Sequence, residues 1–280
     1  MNGIVLINKE KGKTSRDVVN LVSKKFNTRK VGHAGTLDPL ATGLLIIGIN
    51  NGTKILELLT MDEKEYIATA RIGMQTDTYD ITGNIIEEKK YFSIDKEYLE
   101  NTLKSFIGKY YQEVPKYSAV KINGKKLYEY ARNGEEIELP KRFVEIKEIE
   151  LLEFKEDEFK FKVLVSKGTY IRSLINDIGK KINIPCTMKE LIRTKSGNFL
   201  LENSCLIDEV NENNLLKIED ALNYQRVYLD DFLLIKKVMN GNSIELDLNS
   251  QYISLFDNDK FLAIYKKELD TNKYKAFKVF

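Results

Sequence analysis

Short apolar runs separated by polar, glycine-containing segments mark the first 60 residues. The runs at 3–8 and 44–49 are almost entirely apolar, which predicts two short buried strands. Between them, Thr14 or Ser15 can cap a helix over 16–26. The chain therefore opens with a strand, a helix and a second strand, and a glycine-containing loop lies before the second strand.

The central part of the chain predicts a mixture of strands and helices. Alternation of apolar and polar positions over 65–73 predicts a strand, and the spacing over 98–107 predicts a helix. Two more alternating segments, 143–153 and 158–166, predict strands. A helix over 168–182 is predicted from apolar residues at i, i+3, i+4 and i+7, which are Ile171, Leu174, Ile175 and Ile178.

Residues 108–141 do not fit either periodicity. They contain Pro115, Pro140, Gly124 and Gly134, with lysines and tyrosines interleaved. Unstructured segments of this length inside a compact domain usually carry function. The pattern predicts a long insertion that contacts a ligand rather than a part of the core.

Beyond residue 225 the pattern changes to short strands only. They are predicted at 232–238, 251–256, 260–266 and 274–280, with asparagine, glycine and aspartate turn signals between them. The sequence thus predicts a large domain over 1–225 and a small β domain over 226–280.

Composition limits the kinds of side chain that can carry out the chemistry of this protein. The 280 residues include 42% apolar residues, one histidine and two cysteines, Cys186 and Cys205, which are not in a C-x-x-C spacing. This speaks against a zinc site and favours a reducing, cytoplasmic location. The longest apolar run is far shorter than a bilayer span, and Ile4–Ile7 is too short for a secretory signal. Chemistry must therefore come from carboxylates, Arg, Lys, Tyr or hydroxyls.

Two common motifs are weak here. The segment from Gly12 to Ser15 ends like a phosphate-binding loop, but Ile7 stands where that motif needs glycine. A capped helix start is the better interpretation. A pair of carboxylates flanking a sugar bond would indicate a glycosidase. This alternative stays open, although it is weakened because no second acidic residue lies in a distinctive loop.

The most informative segment is 31–43, which predicts a loop with glycines at 32, 35 and 43 around His33 and Asp38. Composition alone favours a turn aspartate before Pro39. However, the segment resembles the catalytic motif of pseudouridine synthases, most closely the bacterial tRNA pseudouridine-55 synthases of the TruB family. Further resemblances follow in order over about residues 3–200, at 64–66, 71–83, 117–132, 166–172 and 191–193.

The resemblance implies a role for several residues. Asp38 would be the essential carboxylate, Arg172 its ion-pair partner, and Tyr66 a stacking partner of the target base with a possible share in proton transfer from C5. Because an unpaired carboxylate in a dry pocket takes up a proton, we expect Arg172 to hold Asp38 ionised through a charge-assisted ion pair. The planar guanidinium allows this pair to be bidentate. From its place in the same loop as Asp38, His33 is the candidate to contact or replace the flipped nucleotide, and an ordinary turn histidine is the alternative. The other implied substrate contacts are Gly35, Lys121, Tyr170 and Leu191, the last as an apolar wall.

The family pattern is not matched everywhere. Glu10 follows Lys9 where the family usually has proline, and Val114 stands at a common proline position. Both differences bear on loop shape rather than on the catalytic group. The C-terminal stretch resembles the family's small RNA-binding PUA-type domain only weakly, and no residue of it is assigned a role.

The implied protein is a cytoplasmic, monomeric isomerase that converts the T-loop uridine 55 of tRNA to pseudouridine without a cofactor or metal. The implied fold is α+β, with a mixed, mainly antiparallel central sheet, flanking helices and a small C-terminal β domain. One alternative is a non-catalytic tRNA-binding or tRNA-folding protein on this scaffold. Another is a pseudouridine synthase that depends on a guide RNA, although the complete insertion at 108–141 favours action without one.

Charge distribution agrees with an RNA substrate although the net charge is only +2, from 44 basic and 42 acidic residues. Three segments, 1–54, 104–132 and 160–195, carry +6, +5 and +7, so the rest of the chain carries −16. These segments contain the Asp38 loop, the insertion and the Arg172 helix. If they converge, they form a local surface that attracts phosphate.

Overall fold

The structure is a computed structural model that describes residues 1–60, 63–90 and 93–280. Its strands, in chain order, are β1 (Gly3–Lys9), β2 (Val31–Ala34), β3 (Thr42–Ile49), β4 (Lys64–Ile72), β5 (Met74–Thr76), β6 (Ile85–Glu88), β7 (Gly108–Glu113), β8 (Lys121–Ile122), β9 (Lys125–Lys126), β10 (Lys141–Phe154), β11 (Glu158–Val165), β12 (Cys186–Ser196), β13 (Phe199–Leu200), β14 (Gln225–Leu229), β15 (Ile244–Glu245), β16 (Tyr252–Asp257), β17 (Lys260–Lys267) and β18 (Lys273–Val279).

The α-helices are fewer and mostly short. They are α1 (Ser15–Lys25), α2 (Leu56–Thr60), α3 (Lys96–Lys104), α4 (Leu127–Arg132), α5 (Ile171–Ile182) and α6 (Phe232–Met239). Among the described residues, no helix is long and apolar enough to cross a membrane. Thr14 caps α1 by accepting from the Asp17 N–H, which confirms the predicted helix start.

A mixed central sheet forms the body of the fold. Its strand order is β1-β3-β12-β4-β11-β10-β7, with β2 paired to β3 and β13 to β12. Strands β3 and β12 are parallel, and the other neighbours in this order are antiparallel. The predicted α+β class with a mixed, mainly antiparallel sheet is confirmed.

Helix α5 packs its apolar stripe into the core beside β12 and β4. All four predicted stripe residues are buried, and their side chains join one cluster with Val163 and Phe161 of β11. The helix begins at Ile171 rather than at 168, because Gly168 has a φ of +81° that a right-handed helix does not accommodate. This start places Arg172 in the first turn.

The C-terminal residues build a second sheet in the order β14-β16-β17-β18-β15. The predicted strand at 232–238 is wrong, since Phe232–Met239 is helix α6, capped by Asp231. An apolar run of this length is compatible with either element, and the cap and the burial of Val238 favour the helix. A shared apolar cluster joins this sheet to β1 and β3 through Ile4, Leu44 and Ile264.

Two loop predictions also need correction. Val31–Ala34 forms β2, which pairs antiparallel with β3, so His33 lies on a strand opposite Ile47. Gly108–Glu113 forms β7, the edge strand of the central sheet, because its residues pair with Lys141–Ile146 of β10. Only the chain after β7 leaves the sheet, as the β8–β9 hairpin and α4.

Candidate active site

A cleft of about 840 Å³ lies at the end of the central sheet. It is lined by residues from the β2–β3 loop, the segment before β4, the start of the insertion, the β10 start and the β11–α5 loop. The lining includes seven of the eight site residues predicted from the sequence, namely His33, Gly35, Asp38, Tyr66, Tyr170, Arg172 and Leu191. Segments far apart in the chain therefore meet at one place.

Asp38 lies in the loop between β2 and β3, and this loop is held by contacts with the first residue of α1 and the turn before it. The hydroxyl of buried Ser15 accepts from the Leu37 N–H at 2.9 Å and donates to the Leu37 carbonyl at 3.0 Å. The Gly12 N–H donates to the Pro39 carbonyl at 2.8 Å. Backbone atoms on both sides of Asp38 are thus held in place while its side chain faces the cleft.

Arg172 pairs with Asp38, as the sequence predicted. Its Nε lies 2.9 Å from Oδ2 of Asp38, and the arginine side chain is only 5% exposed. Nη1 donates to the Thr78 carbonyl at 2.9 Å and Nη2 donates to the Tyr117 carbonyl at 3.0 Å. Because those nitrogens are engaged elsewhere, the contact with Asp38 is made by Nε and not by a bidentate fork.

A second carboxylate stands behind the arginine. Asp80 is buried, and its Oδ2 lies 3.7 Å from Nη1 of Arg172. Its Oδ1 accepts from the Thr82 N–H at 2.9 Å, which shapes the turn after β5. Arg172 therefore lies between two carboxylates, of which only Asp38, 35% exposed, faces the cleft.

Tyr66 is the third residue of β4, which lies between β11 and β12. Its register partners are Val163 and Arg193, and its ring is buried against the core. Leu191 is also buried and lines the same cleft from β12. The two side chains give the cleft an apolar floor beside the Asp38–Arg172 pair, which suits a planar base.

Arg193 is a lining residue that the sequence analysis named only within a segment. It is fully buried, its Nε donates to the Leu44 carbonyl at 2.7 Å, and Nη2 donates to the Gly35 carbonyl at 3.2 Å. Gly43 permits this approach, since a Cβ there would lie 2.4 Å from the Arg193 carbonyl oxygen. Its strand, β12, also carries Lys189, Glu190 and Lys195, so the charge of Arg193 gave no local signal of its burial.

Lys9 is a second buried cation beside the Asp38 loop. Its Nζ donates to the carbonyls of Lys13 at 2.7 Å and Glu10 at 3.0 Å, and it lies 3.4 Å from the Pro39 carbonyl. Burial lowers the pKa of the Lys9 ammonium to about 8, although Asp38 opposes that shift. Lys9 ties the end of β1 to the loop that carries Asp38.

His33 faces the cleft from β2. Burial lowers the pKa of its imidazole, and Arg16 and Arg193 contribute in the same direction. The ring is therefore neutral near pH 7, which suits stacking or a hydrogen bond more than a charge contact with phosphate. Its place beside Asp38 was predicted correctly, although the element that carries it was not.

Tyr170 and Lys121 differ in position. The Tyr170 N–H donates to Oε1 of Gln112 at 2.8 Å, and the Arg142 guanidinium lies 5.8 Å from the centre of its ring. Lys121 is exposed on the β8–β9 hairpin and does not line the cleft, whereas Ser118–Val120 just before it do. The structure thus brings Tyr170 to the site and leaves Lys121 outside it.

The charged residues of the cleft lining are almost all basic. One acidic residue, Asp38, stands against five basic ones, which are Lys64, Arg142, Lys167, Arg172 and Arg193. They come from β4, β10, the β11–α5 loop, α5 and β12. Three of them belong to the basic segment 160–195, and Lys64 and Arg142 lie outside all three basic segments, so the basic lining residues do not show the expected convergence. The excess of basic residues still gives the cleft a surface that attracts phosphate.

Comparisons with known proteins show the family to which the chain belongs. Residues 23–171 match the model of the TruB family pseudouridylate synthase, N-terminal domain. A tRNA pseudouridine synthase B from Mesoplasma florum is 42% identical over 95% of this chain and 94% of its own length. One from Bacillus pumilus is 47% identical over 86% of this chain and 82% of its own length.

Solved structures share the fold. A Cbf5-Nop10-Gar1 complex contains a chain with a TM-score of 0.74 and 24% identity, covering 99% of this chain and 84% of that one. An H/ACA RNP bound to a substrate RNA containing 2′-deoxyuridine gives a TM-score of 0.72 and 23% identity, with the same coverage. From the family match and the identity of its relatives, the chain belongs to the TruB family of pseudouridylate synthases.

Proposed function

We propose that this protein isomerises uridine 55 in the T-loop of tRNA to pseudouridine. The observation that carries the proposal is the Asp38–Arg172 pair at 2.9 Å in a cleft whose other charged residues are basic. The tRNA substrate is supported by relatives that are named tRNA pseudouridine synthase B and match nearly the whole chain.

The reaction breaks the N1–C1′ bond, rotates the base and joins C5 to C1′. N1 gains a proton and C5 loses one, so the atoms balance without an oxidant or a donated group. Cleavage leaves C1′ electron-poor, and a carboxylate stabilises or bonds to such a carbon. In the proposal this carboxylate is Asp38, and the Arg172 guanidinium holds its side chain in place at the cleft.

The remaining residues hold the substrate. A base inside a folded loop has to be extruded before its sugar carbon can be reached. Tyr66 would stack on the extruded base and Leu191 would close the pocket. His33, Gly35 and Tyr170 would contact the neighbouring RNA, and Lys121 would reach it only if the hairpin moved towards the cleft.

The proposal extends to the whole chain. Residues 1–225 would be the catalytic domain, and 226–280 a short PUA-like domain that contacts RNA. The enzyme would act as a monomer. Its location would be the cytoplasm, which the free cysteines Cys186 and Cys205 support.

The test is direct. An unmodified tRNA transcript is incubated with the pure protein, and pseudouridine is mapped by chemical labelling. We expect product at position 55 from the wild type, none from Asp38→Asn, and none from a transcript with cytidine at that position. Product that requires added guide RNA would favour the guide-dependent alternative, and tRNA binding without product would favour the non-catalytic one.

A further inference from the structure

Two aromatic rings stand exposed on the outer strands of the central sheet. Tyr111 of β7 is 69% exposed and Phe143 of β10 is 60% exposed. The two residues are direct register partners, and their ring centroids lie 5.1 Å apart at an interplanar angle of 51°. A cross-strand pair stabilises an edge strand, but this pair leaves most of both rings in solvent.

The pair is continuous with the cleft. Phe143 itself is a lining residue, and the neighbouring Arg142 lines the cleft as well. The backbone of Glu145 is tied to the β11–α5 loop, since its N–H donates to the Ser166 hydroxyl at 2.8 Å and its carbonyl accepts from the Ser166 N–H at 2.9 Å. The backbone of β10 near Phe143 is thus tied to the loop that leads into α5.

The charges next to the rings indicate what kind of contact is made. On the same strand face, Lys109 is opposite Glu145 and Lys141 is opposite Glu113, so this face is electrically balanced. The basic residues nearby, Arg142 among them, line the cleft. Phosphate attraction therefore belongs to the cleft, whereas the exposed rings offer flat apolar surface that suits a nucleobase.

We propose that Tyr111 and Phe143 form a second base-stacking site for the substrate RNA, outside the pocket for the target uridine. Its occupant is an unstacked base of the same RNA molecule, held while the cleft holds the extruded uridine. This inference rests on the proposed function, because it takes its occupant from the RNA substrate. Stacking on aromatic side chains tolerates any base, so the site adds affinity more than sequence selection.

The chain contains no tryptophan, which allows a direct optical test. Phe143→Trp in an Asp38→Asn background places one indole at the site and prevents turnover. Tyr98→Trp, on α3 at a position that is 50% exposed, is the matched control. With an unmodified tRNA transcript, we expect saturable quenching of the emission at 143 and none at 98. Bound RNA without quenching at 143, or no bound RNA at all, would overturn the proposal.

A second measurement separates stacking from packing. We expect Tyr111→Ala with Phe143→Ala to raise KM for tRNA about 10-fold and to leave kcat within about twofold, since the rings touch no reacting atom. Tyr111→Phe with Phe143→Tyr keeps both rings and should restore the wild-type KM. An unchanged KM in the alanine variant would contradict the proposal.

Two further outcomes are decisive. A lower kcat and a lower melting temperature at wild-type KM would assign the pair to strand packing alone. A concentration-dependent dimer that is lost in the alanine variant would assign the pair to a second copy of the chain at the β7 edge. Pseudouridine formation is scored separately, so absence of product refutes the proposed function, whereas absence of quenching with normal product refutes only this site.

Discussion

Nε of Arg172 lies 2.9 Å from Oδ2 of Asp38, and this one guanidinium also binds the carbonyls of Thr78 and Tyr117. Arg172 therefore connects the β2–β3 loop that carries Asp38, the turn after β5 and the start of the insertion. Because three nitrogens have three different partners, the planar shape of the guanidinium matters as much as its charge.

Substitution of Arg172 by lysine is expected to remove most activity. Lysine keeps the charge but replaces three fixed donor directions by a single ammonium, so the Asp38 side chain loses its orientation. We expect the single-turnover rate of pseudouridine formation to fall about 100-fold, the size of a small misplacement of a catalytic group. Arg142→Lys at the exposed rim is the control and should retain most of its rate. Near-wild-type turnover of Arg172→Lys would contradict the pairing.

Asp80 is expected to act through Arg172 rather than on the substrate. Asp80→Asn keeps the size of the side chain and removes the charge 3.7 Å from Nη1, which lets the guanidinium shift away from its place beside Asp38. We predict about a tenfold loss of kcat with KM for tRNA unchanged within about twofold. Asp77→Asn in the same turn is the matched control. A change confined to KM would place Asp80 in RNA binding instead.

The residues proposed to be catalytic lie in short local motifs, which is why a family resemblance can single them out from sequence. Asp38 and Arg172 are far apart in the chain, yet each motif carries its own loop or helix start, and their meeting at 2.9 Å follows from the shared family fold. The burial of Lys9 and Arg193 was harder to predict, because it depends on backbone carbonyls that tertiary packing brings to these side chains. No local sequence pattern indicates that Arg193 is buried, because its partner, the Leu44 carbonyl, is 149 residues away in the chain.

The errors in the fold have a similar origin. The run Phe232–Met239 is apolar enough for a strand, and only packing against the second sheet together with the Asp231 cap makes it α6. Strand β7 was assigned to the insertion because its tyrosines and lysines resemble the residues that follow. Its pairing with β10 is a long-range contact, which composition does not encode.

Tyr66→Phe separates stacking from proton transfer. The ring stays buried in β4 and the hydroxyl is lost, so affinity for tRNA should be unchanged. If the hydroxyl takes part in removing the proton from C5, we expect kcat to fall at least about 100-fold, as is usual for a lost general base. Tyr170→Phe, in the same cleft, is the comparison and should change kcat less. Full activity of Tyr66→Phe would leave Tyr66 with stacking alone.

His33→Ala tests the role assigned to the histidine. Since burial lowers its pKa, the imidazole is neutral near pH 7 and contributes surface and hydrogen bonding rather than charge. We expect the Kd for tRNA to rise about fivefold to tenfold, with the same ratio at low and high salt, because no phosphate contact is lost. His33→Phe should recover part of the affinity. Unchanged Kd and turnover in the alanine variant would refute this role.

The half-buried carboxyl of Asp177 makes the free energy of unfolding depend on pH. On α5, burial raises the pKa of Asp177 from 3.8 to about 6, with Glu113 adding to the shift and Lys180 opposing it. Between these two pH values the folded protein keeps a proton that the unfolded chain has lost. This group therefore lowers the free energy of unfolding as pH rises from about 4 to about 6, and the full cost persists above that window.

Asp177→Asn removes this cost without a change of size. We expect the free energy of unfolding to increase by about 2 kcal/mol at pH 7 and to match the wild type near pH 4, as measured by urea denaturation. Glu100→Gln is the control, since Glu100 lies 3.7 Å from Lys96 on α3 as Asp177 does from Lys180 on α5, but is more exposed. That variant should change stability by less than about 0.5 kcal/mol at either pH. An equal gain for Asp177→Asn at both pH values would show that ionisation of this carboxyl is not the cause.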